Sequence, residues 1–358
     1  MLTVLSVAYP FAPIGRDAVG GAEQVLARLD RALVDAGHRS IVVAREDSEV
    51  AGVLVPLADA GEPLTAEAQR RAWAAAREAV RRAIDQWPVD VVHLHALHFH
   101  RCLPPPGPPA LATLHLPPAW YGTEAFRVSR PETYLHCVSA AQRGACPPGA
   151  PLLPQVPNGV DADAFPARVR RRGFALALGR VCPEKGYHLA LEAARRAEVP
   201  LVIGGRVFPY DEHVRYFRDE LRPRLEGVGI FAGAMDFRRK RRALSAARCL
   251  LVPSLVEETS SLVAMEALAC GTPVIAYPKG ALPSIVEHGR TGFLVNDVDE
   301  MAEAIRAADG IDPEECRRAA RERFSAERMV ELYFETYRLL ADPDRLAAAK
   351  EYEAYHAA

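Results

Sequence analysis

Two glutamates eight positions apart, Glu258 and Glu266, have the types and spacing that best suit a binding site in this chain. They occur in VPSLVEETSSLVAMEALACGTPVIA, where Ser260 and Ser261 separate an apolar run from apolar residues at helical spacing. The pattern predicts a strand, a turn with a serine N-cap and a helix, with Glu266 about two turns inside it. Backbone N–H groups of Ser260 to Leu262 would then face an anion at the helix N-terminus. The alternative is a pair of solvated glutamates.

Two cations lie in a second strand-to-helix connection, ALGRVCPEKGYHLALEAA. The predicted strand ends at Gly179, and Arg180 and Lys185 follow before a helix that begins near Gly186. Charge-assisted hydrogen bonds to a diphosphate would each contribute about 1.5–3 kcal/mol. Solvated loop charges are the alternative, and this loop alone does not decide between them.

A glycine pair, Gly20 and Gly21 in GGAEQ, lies at a third strand-to-helix connection. Without side chains these residues would let backbone amides approach a ligand closely. The stretch is neither GxGxxG nor GxxxxGK, so the dinucleotide and P-loop fingerprints are absent here.

Four histidines occur in HLHALHFH, residues 93–100. His93 and His95 would project from the same face of a strand end, with His98 and His100 in the loop beyond it. Such a tract is compatible with a metal site, which His115 or Cys102 would have to complete. No Asp, Glu or Cys is interleaved to complete a ligand set, so we predict no bound metal. His93 and His95 are instead predicted to line a pocket or to be structural.

The stretch that follows, TLHLPPAWYGTEAF, combines prolines with Trp120 and Tyr121. A rigid aromatic loop of this kind suits stacking on a bound molecule, although such rings also act as hydrophobic plugs. The basic run FRRKRR, residues 237–242, is predicted to be the solvated face of a helix start, with an anionic ligand or lipid headgroup as the lesser alternative.

Composition indicates a soluble, reduced, cytoplasmic protein. The net charge of −2 gives no general signal for nucleic acid, and no apolar run reaches the length of a membrane span. The seven cysteines are scattered without a CxxC pair, which argues against disulfides or a cysteine-based zinc site. At 358 residues the chain is long enough for two domains that share a cleft.

Alternating strands and helices predict an α/β fold with two doubly wound parallel sheets. The predicted strands are residues 2–9, 40–44, 89–97, 110–115 and 133–139, then 174–179, 200–205, 229–233, 249–254 and 273–277. A Pro- and Gly-rich break with a basic run (169–173) divides the two sets. We predict domains at 1–165 and 166–335 and a C-terminal helix at 336–358 that packs back on the first domain. Ligands of such sheets bind beyond the carboxyl ends of the strands.

The order GGAE, TLH, NGVD, GRVCPEKG, the glutamate pair with EALACGTPVIA, and VEHGRTGFLV resembles the retaining glycosyltransferases of family 4, which have the GT-B fold. The resemblance runs from the first strand to about residue 300. It implies that the second domain binds a nucleotide sugar, UDP-linked, and that the first domain presents an acceptor. It also implies transfer of a hexose with retention, without a metal or other cofactor.

The resemblance also assigns roles. Arg180 and Lys185 would hold the diphosphate, and Glu266 would accept hydrogen bonds from the ribose. Glu258 and the amides of Ser260, Ser261 and Leu262 would hold the transferred sugar, with Gly21 at the phosphate and His115 beside the sugar. His93, His95, Trp120 and Tyr121 would lie on the acceptor side. The sequence has Thr259-Ser260-Ser261 where family members often have Phe-Gly, and the adjacent Glu257 could share the role of Glu258.

Two other functions stay open at this point: a nucleotide-sugar epimerase of similar fold and a catalytically silent nucleotide-sugar-binding subunit. The acceptor, the sugar and the oligomeric state are not readable from the sequence. Peripheral contact with a membrane is compatible with it.

Overall fold

Two six-stranded parallel sheets, each with helices on both faces, organise the computed structural model, which describes residues 1–61, 64–165, 173–342 and 344–346. If the strands of each sheet are numbered along the chain, both sheets have the spatial order 3-2-1-4-5-6. This order is that of a doubly wound unit in which the strand sequence reverses beside the first strand. The predicted fold class is therefore confirmed.

The first sheet comprises β1 (Thr3–Val7), β2 (Arg39–Arg45), β3 (Val53–Leu57), β4 (Val91–Leu94), β5 (Ala110–Leu114) and β6 (Thr133–Cys137). Its helices are α1 (Gly21–Asp35), α2 (Ala66–Gln86), α3 (Thr123–Phe126) and α4 (Ala140–Gly144). All five strands predicted in this part are present. The edge strand β3 was not predicted, because its half-exposed VLVPL carries a proline and lacks a continuous apolar run.

The second sheet comprises β7 (Ala175–Leu178), β8 (Leu201–Gly204), β9 (Gly229–Gly233), β10 (Cys249–Val252), β11 (Val274–Ala276) and β12 (Gly292–Leu294). Its helices are α5 (Tyr187–Ala197), α6 (Asp211–Arg215), α7 (Phe237–Ala246), α8 (Leu262–Ala269), α9 (Leu282–Ile285), α10 (Val298–Ala307) and α11 (Pro313–Arg323). The five predicted strands are again present, and only the three-residue edge strand β12 was missed.

The last described helix, α12 (Ala326–Leu340), returns from the second unit to cover the first sheet. Its Met329, Tyr333 and Tyr337 are buried against apolar side chains of β1, α1, β4 and β5. Residues 347–358 of the predicted C-terminal helix, and most of the basic run 169–173, lie outside the described residues. The predicted domain boundaries stay a prediction. None of the described helices is both long and apolar enough to span a membrane.

Candidate active site in the cleft between the two sheets

The carboxyl ends of the two sheets border one cleft, which encloses about 890 Å³. The predicted site residues that line it are Gly21, His95, His115, Trp120, Tyr121, Arg180, Lys185, Glu258, Ser260, Ser261, Leu262 and Glu266. They come from connections that follow β1, β4, β5, β7 and β10. Residues more than 200 positions apart along the chain therefore meet at one place, as expected for ligand sites at the ends of parallel strands.

Lys185 and Glu258 form an ion pair in the second half of the cleft. The Lys185 Nζ atom lies 2.5 Å from Glu258 Oε1, and the Ser254 hydroxyl donates to the same oxygen at 2.7 Å. Gly186, with φ of +63°, lets the loop after β7 press against the loop after β10, since a Cβ there would lie 2.1 Å from the Pro253 carbonyl oxygen. This close approach brings the two side chains together.

The neighbouring Glu257 has a different environment. Its side chain is exposed, and its Oε2 accepts a hydrogen bond from the backbone N–H of Gly280. Glu258 has only 10% of its side chain exposed. The two carboxylates therefore do not share one set of partners.

The N-terminus of helix α8 faces the first unit. Ser261 occupies the N-cap position, but its hydroxyl makes no capping hydrogen bond, and the buried Ser260 hydroxyl has no partner. The serine cap predicted from the sequence is therefore not formed. A Cβ on Gly21, the first residue of α1, would lie 3.3 Å from the side chain of Leu262. Two helix N-termini thus approach each other, and both favour an anion between them.

Glu266 is buried in α8 and pairs with a cation that sequence reasoning missed. Its Oε1 accepts from the Lys240 Nζ at 2.6 Å, and only 8% of the Glu266 side chain is exposed. Burial raises the pKa of Glu266, and Lys240 opposes that rise.

The prediction that residues 237–242 form a solvated face is wrong for Lys240, because α7 directs it into the cleft. The signal was available: Lys240 lies three residues after Phe237 and four before the buried Leu244, on one helix face.

His115 is held from several sides. Its backbone N–H donates to the Tyr121 hydroxyl at 3.0 Å, and its carbonyl accepts from the Thr259 hydroxyl of the other unit at 2.8 Å. Its ring Nε2 lies 3.0 Å from His95 Nδ1. Burial lowers the pKa of His115 to about 3, so the ring is neutral at physiological pH.

The histidine tract divides between cleft and core. His93 is fully buried, with Nδ1 2.7 Å from the Tyr337 hydroxyl and Nε2 2.6 Å from the Thr113 hydroxyl. The predicted acceptor-side position of His93 is therefore wrong, because α12 covers that face of β4. His98 and His100 lie at a 3₁₀ turn after β4, and His100 Nε2 is 3.7 Å from Glu124. Within the described part of the chain, none of these histidines belongs to a group of three metal-ligating side chains.

Further contacts across the cleft had no clear signal in the sequence. The hydroxyls of Tyr9 and Tyr210 lie 3.3 Å apart, and Asp17 accepts from the backbone N–H of Phe237 at 2.7 Å. Burial raises the pKa of Glu23, in the GGAE stretch, while the positive charge of Arg180 counteracts the shift. The two units therefore hold each other through polar contacts beside the predicted site.

Two models of glycosyltransferase families match most of the chain. The one described as Glycosyltransferase Family 4 matches residues 19–164, and the one described as Glycosyl transferases group 1 matches residues 173–308. Each match contains one of the two sheets almost completely.

Curated relatives of similar sequence include two synthases that are named for carbohydrate products. The α-maltose-1-phosphate synthase of Mycobacterium tuberculosis (strain ATCC 25618 / H37Rv) is 33% identical over 201 residues, which are 48% of this chain and 52% of that protein. The alignment therefore spans only about half the length of that relative. The glycogen synthase of the same organism is 28% identical over an alignment of 384 positions, which covers 91% of this chain and 91% of that protein.

The solved structure of Anabaena HepE in complex with UDP-glucose superposes with a TM-score of 0.72 at 18% identity, over 94% of this chain and 99% of that chain. This likeness shows the fold, which is GT-B as the sequence predicted. Both halves are matched by family models, four of the resembling motifs line one cleft through Gly21, His115, Arg180 and Glu258, and the fold agrees, so the chain belongs to the family 4 glycosyltransferases.

Proposed function

We propose that this glycosyltransferase moves a hexose from a nucleoside-diphosphate sugar, UDP-linked, to an acceptor bound against the first sheet, with retention of anomeric configuration and without a catalytic metal. The observation that carries the proposal is the convergence of Arg180, Lys185, Glu258 and Glu266 on one cleft wall, with Gly21 and His115 opposite. The UDP assignment is supported by the complex of the HepE relative with UDP-glucose.

The leaving diphosphate gains negative charge as the glycosidic bond breaks. Arg180 and Lys185 stand in one loop of the cleft wall, and the N-termini of α1 and α8 add oriented backbone N–H groups. Fixed positive charge and dipoles of this kind stabilise developing negative charge without reorganisation during the reaction. A metal is not needed for that task.

The nucleoside would be bound deeper in the second half of the cleft. Glu266 is a buried carboxylate with free acceptor capacity, and Lys240 balances its charge at 2.6 Å. A carboxylate in such a position accepts hydrogen bonds from the two hydroxyls of a ribose. This arrangement supports nucleoside-diphosphate binding rather than binding of a simple anion.

The transferred sugar would lie between Glu258 and His115. A carboxylate stabilises the positive charge of an oxocarbenium-like sugar, and Glu258 is already ionically paired. The neutral ring of His115, held by His95, can hydrogen-bond a sugar hydroxyl. Because Glu258 is held by Lys185 and Ser254, we assign it to charge stabilisation and propose attack by the acceptor on the same face as the leaving group.

The acceptor would enter from the side of the first sheet, past Trp120 and Tyr121. Trp120 has 37% of its surface exposed, which leaves its ring available for stacking. Tyr121 is 7% exposed and is engaged by the backbone of His115, so it supports the loop more than it contacts an acceptor. No observation favours the epimerase or the silent binding subunit over the transferase.

A thermal unfolding experiment tests the donor site first. UDP, GDP and ADP are each added with and without a chelator, and the unfolding midpoint is measured. A ligand at about 100 times its dissociation constant adds about 2.7 kcal/mol to the folded state, a shift of several degrees. We expect UDP to give the largest shift and the chelator to leave it unchanged. No shift with any nucleotide, or a UDP shift lost with the chelator, would contradict the proposal.

A further inference from the structure

Three side chains with metal-ligand chemistry meet in the wall of the cleft, outside the groups that the proposed transfer uses. Cys182 and Glu184 follow β7 in the turn that leads to Lys185, and His213 belongs to helix α6. The cysteine sulfur, a carboxylate oxygen and a ring nitrogen all lie within 4.8 Å of one another. Glu184 and His213 both line the cleft.

Two atoms of this cluster lack hydrogen-bond partners, although the Glu184 carboxylate also interacts with the Cys182 thiol. Glu184 Oε2 and His213 Nδ1 are buried and make no hydrogen bond, and His213 as a whole is only 7% exposed. A buried polar atom without a partner is destabilising, and native proteins contain few of them. Two such atoms in one three-residue cluster indicate a missing partner that interacts with both.

We propose that Cys182, Glu184 and His213 bind a zinc ion, with the fourth position directed to the cleft and filled by water. Thiolate, carboxylate and imidazole are all zinc ligands, at about 2.0–2.3 Å from the metal. In a tetrahedron of that size the ligand atoms stand about 3.3–3.6 Å apart. Because the three atoms lie within 4.8 Å of one another, the cluster has to contract by at most about 1.5 Å, which side-chain rotation can supply.

Coordination requires the thiolate of Cys182. Binding therefore breaks the S–H bond of this buried cysteine, forms the Zn–S bond and releases one proton to solvent. The ring of His213 binds through a lone pair of its unpartnered Nδ1 atom and needs no such step.

The negative charges of the proposed ligands are compatible with a zinc ion despite the nearby positive charge of Arg180. Thiolate and carboxylate together offset the two positive charges of the ion, so its repulsion of Arg180 is limited. Glu184 is also tied to the loop after β10, since its backbone carbonyl accepts from the backbone N–H of Leu255 at 2.8 Å. Zinc would add a link to α6. The loop that carries Arg180 and Lys185 would thereby be fixed to two elements of the second unit.

The test uses the full chain without an affinity tag, because a histidine tag binds zinc itself. The protein is stripped with a chelator, exchanged into metal-free buffer and titrated with zinc against a chromophoric competitor. Cobalt is added to a second sample, because cobalt–thiolate coordination gives a charge-transfer absorption in the near ultraviolet. The test variants are Cys182→Ser and His213→Asn. The matched control is Cys146→Ser, which removes a half-buried thiol elsewhere in the chain.

We expect uptake of one zinc per chain and a cobalt–thiolate band in the wild type and in Cys146→Ser, with both lost in Cys182→Ser and His213→Asn. Unfolding midpoints measured in chelator show whether the variants are folded, and a wild-type cobalt spectrum without a thiolate band would count against the site without any variant. Absence of that band, or zinc uptake unchanged by both substitutions, would overturn the proposal. The UDP shift is read in chelator, so failure of the zinc site and failure of the donor site are distinguishable.

Discussion

Replacing Glu258 by glutamine should affect donor binding and transfer in different directions. Lys185 is paired with Glu258 at 2.5 Å in the ligand-free protein, and the side chains are only 25% and 10% exposed. A diphosphate that uses Lys185 must compete with this carboxylate. Glutamine has nearly the same size and keeps an oxygen for the Ser254 hydroxyl, but it carries no charge. We therefore expect Glu258→Gln to bind UDP at least as tightly as the wild type and to transfer sugar more slowly.

The size of these effects follows from charge-assisted hydrogen bonds of about 1.5–3 kcal/mol each. Loss of one such bond corresponds to a factor of about 10 to 150. Lys185→Ala should weaken UDP binding by a factor in that range, because it removes the cation and leaves Glu258 facing the diphosphate. Glu258→Gln should lower the rate of sugar release by a similar factor, because the positive charge of the sugar in the transition state loses its carboxylate.

Calorimetric titration of UDP measures the first effect, and release of UDP from UDP-sugar by slow transfer to water measures the second without a known acceptor. Glu257→Gln is the matched control, since its exposed carboxylate contacts the backbone of Gly280. The control should leave both quantities near wild-type values. If Glu258→Gln weakens UDP binding as much as Lys185→Ala does while sugar release stays normal, the assignment of Glu258 to the sugar is refuted.

Three more outcomes follow from buried groups. Burial lowers the pKa of His136 to about 4, so between pH 4 and 6.5 this residue binds more protons in the unfolded chain than in the folded one, and its contribution to the free energy of unfolding falls by about 2 kcal/mol at pH 5. Urea unfolding at pH 7 and pH 5 checks this, and an equal loss in His136→Gln would contradict it. Thr259→Val removes the hydroxyl that holds the His115 carbonyl, so sugar release should fall by a few-fold, whereas Thr259→Ser should restore it. Lys240→Met leaves Glu266 without its cation and raises its pKa further, so UDP affinity should weaken, and more at pH 6 than at pH 8; calorimetry that shows no pH dependence would exclude this role.

The positions of the site residues were predictable because they follow the central strands. The segments that contain Gly21, His115, Arg180 and Glu258 come after β1, β5, β7 and β10, whose buried apolar runs are visible in the sequence. Strands covered on both faces read as continuous apolar runs, and the carboxyl ends of parallel strands meet at one edge. The edge strand β3 was missed because it is only half-buried and carries a proline, and β12 because it is only three residues long.

The environment of His93 was not predictable from local sequence. Its alternation with His95 correctly indicated one shared face, and the two rings lie 3.9 Å apart. What covers that face is Tyr337, which is 244 positions further along the chain. No local pattern encodes a contact between a strand near residue 93 and a helix that crosses back from the second unit.

The two halves of the cleft are coupled through the site residues themselves. Thr259, next to Glu258, donates to the carbonyl of His115, and the His115 ring in turn contacts the ring of His95. Leu262, at the start of α8, packs against Gly21 at the start of α1. A displacement of the loop after β10 upon donor binding would therefore move His115 directly, with no intermediate element. Thr259, the first residue of the Thr-Ser-Ser sequence that departs from the family pattern, supplies this contact, so we expect it to set how the two halves of the cleft fit together.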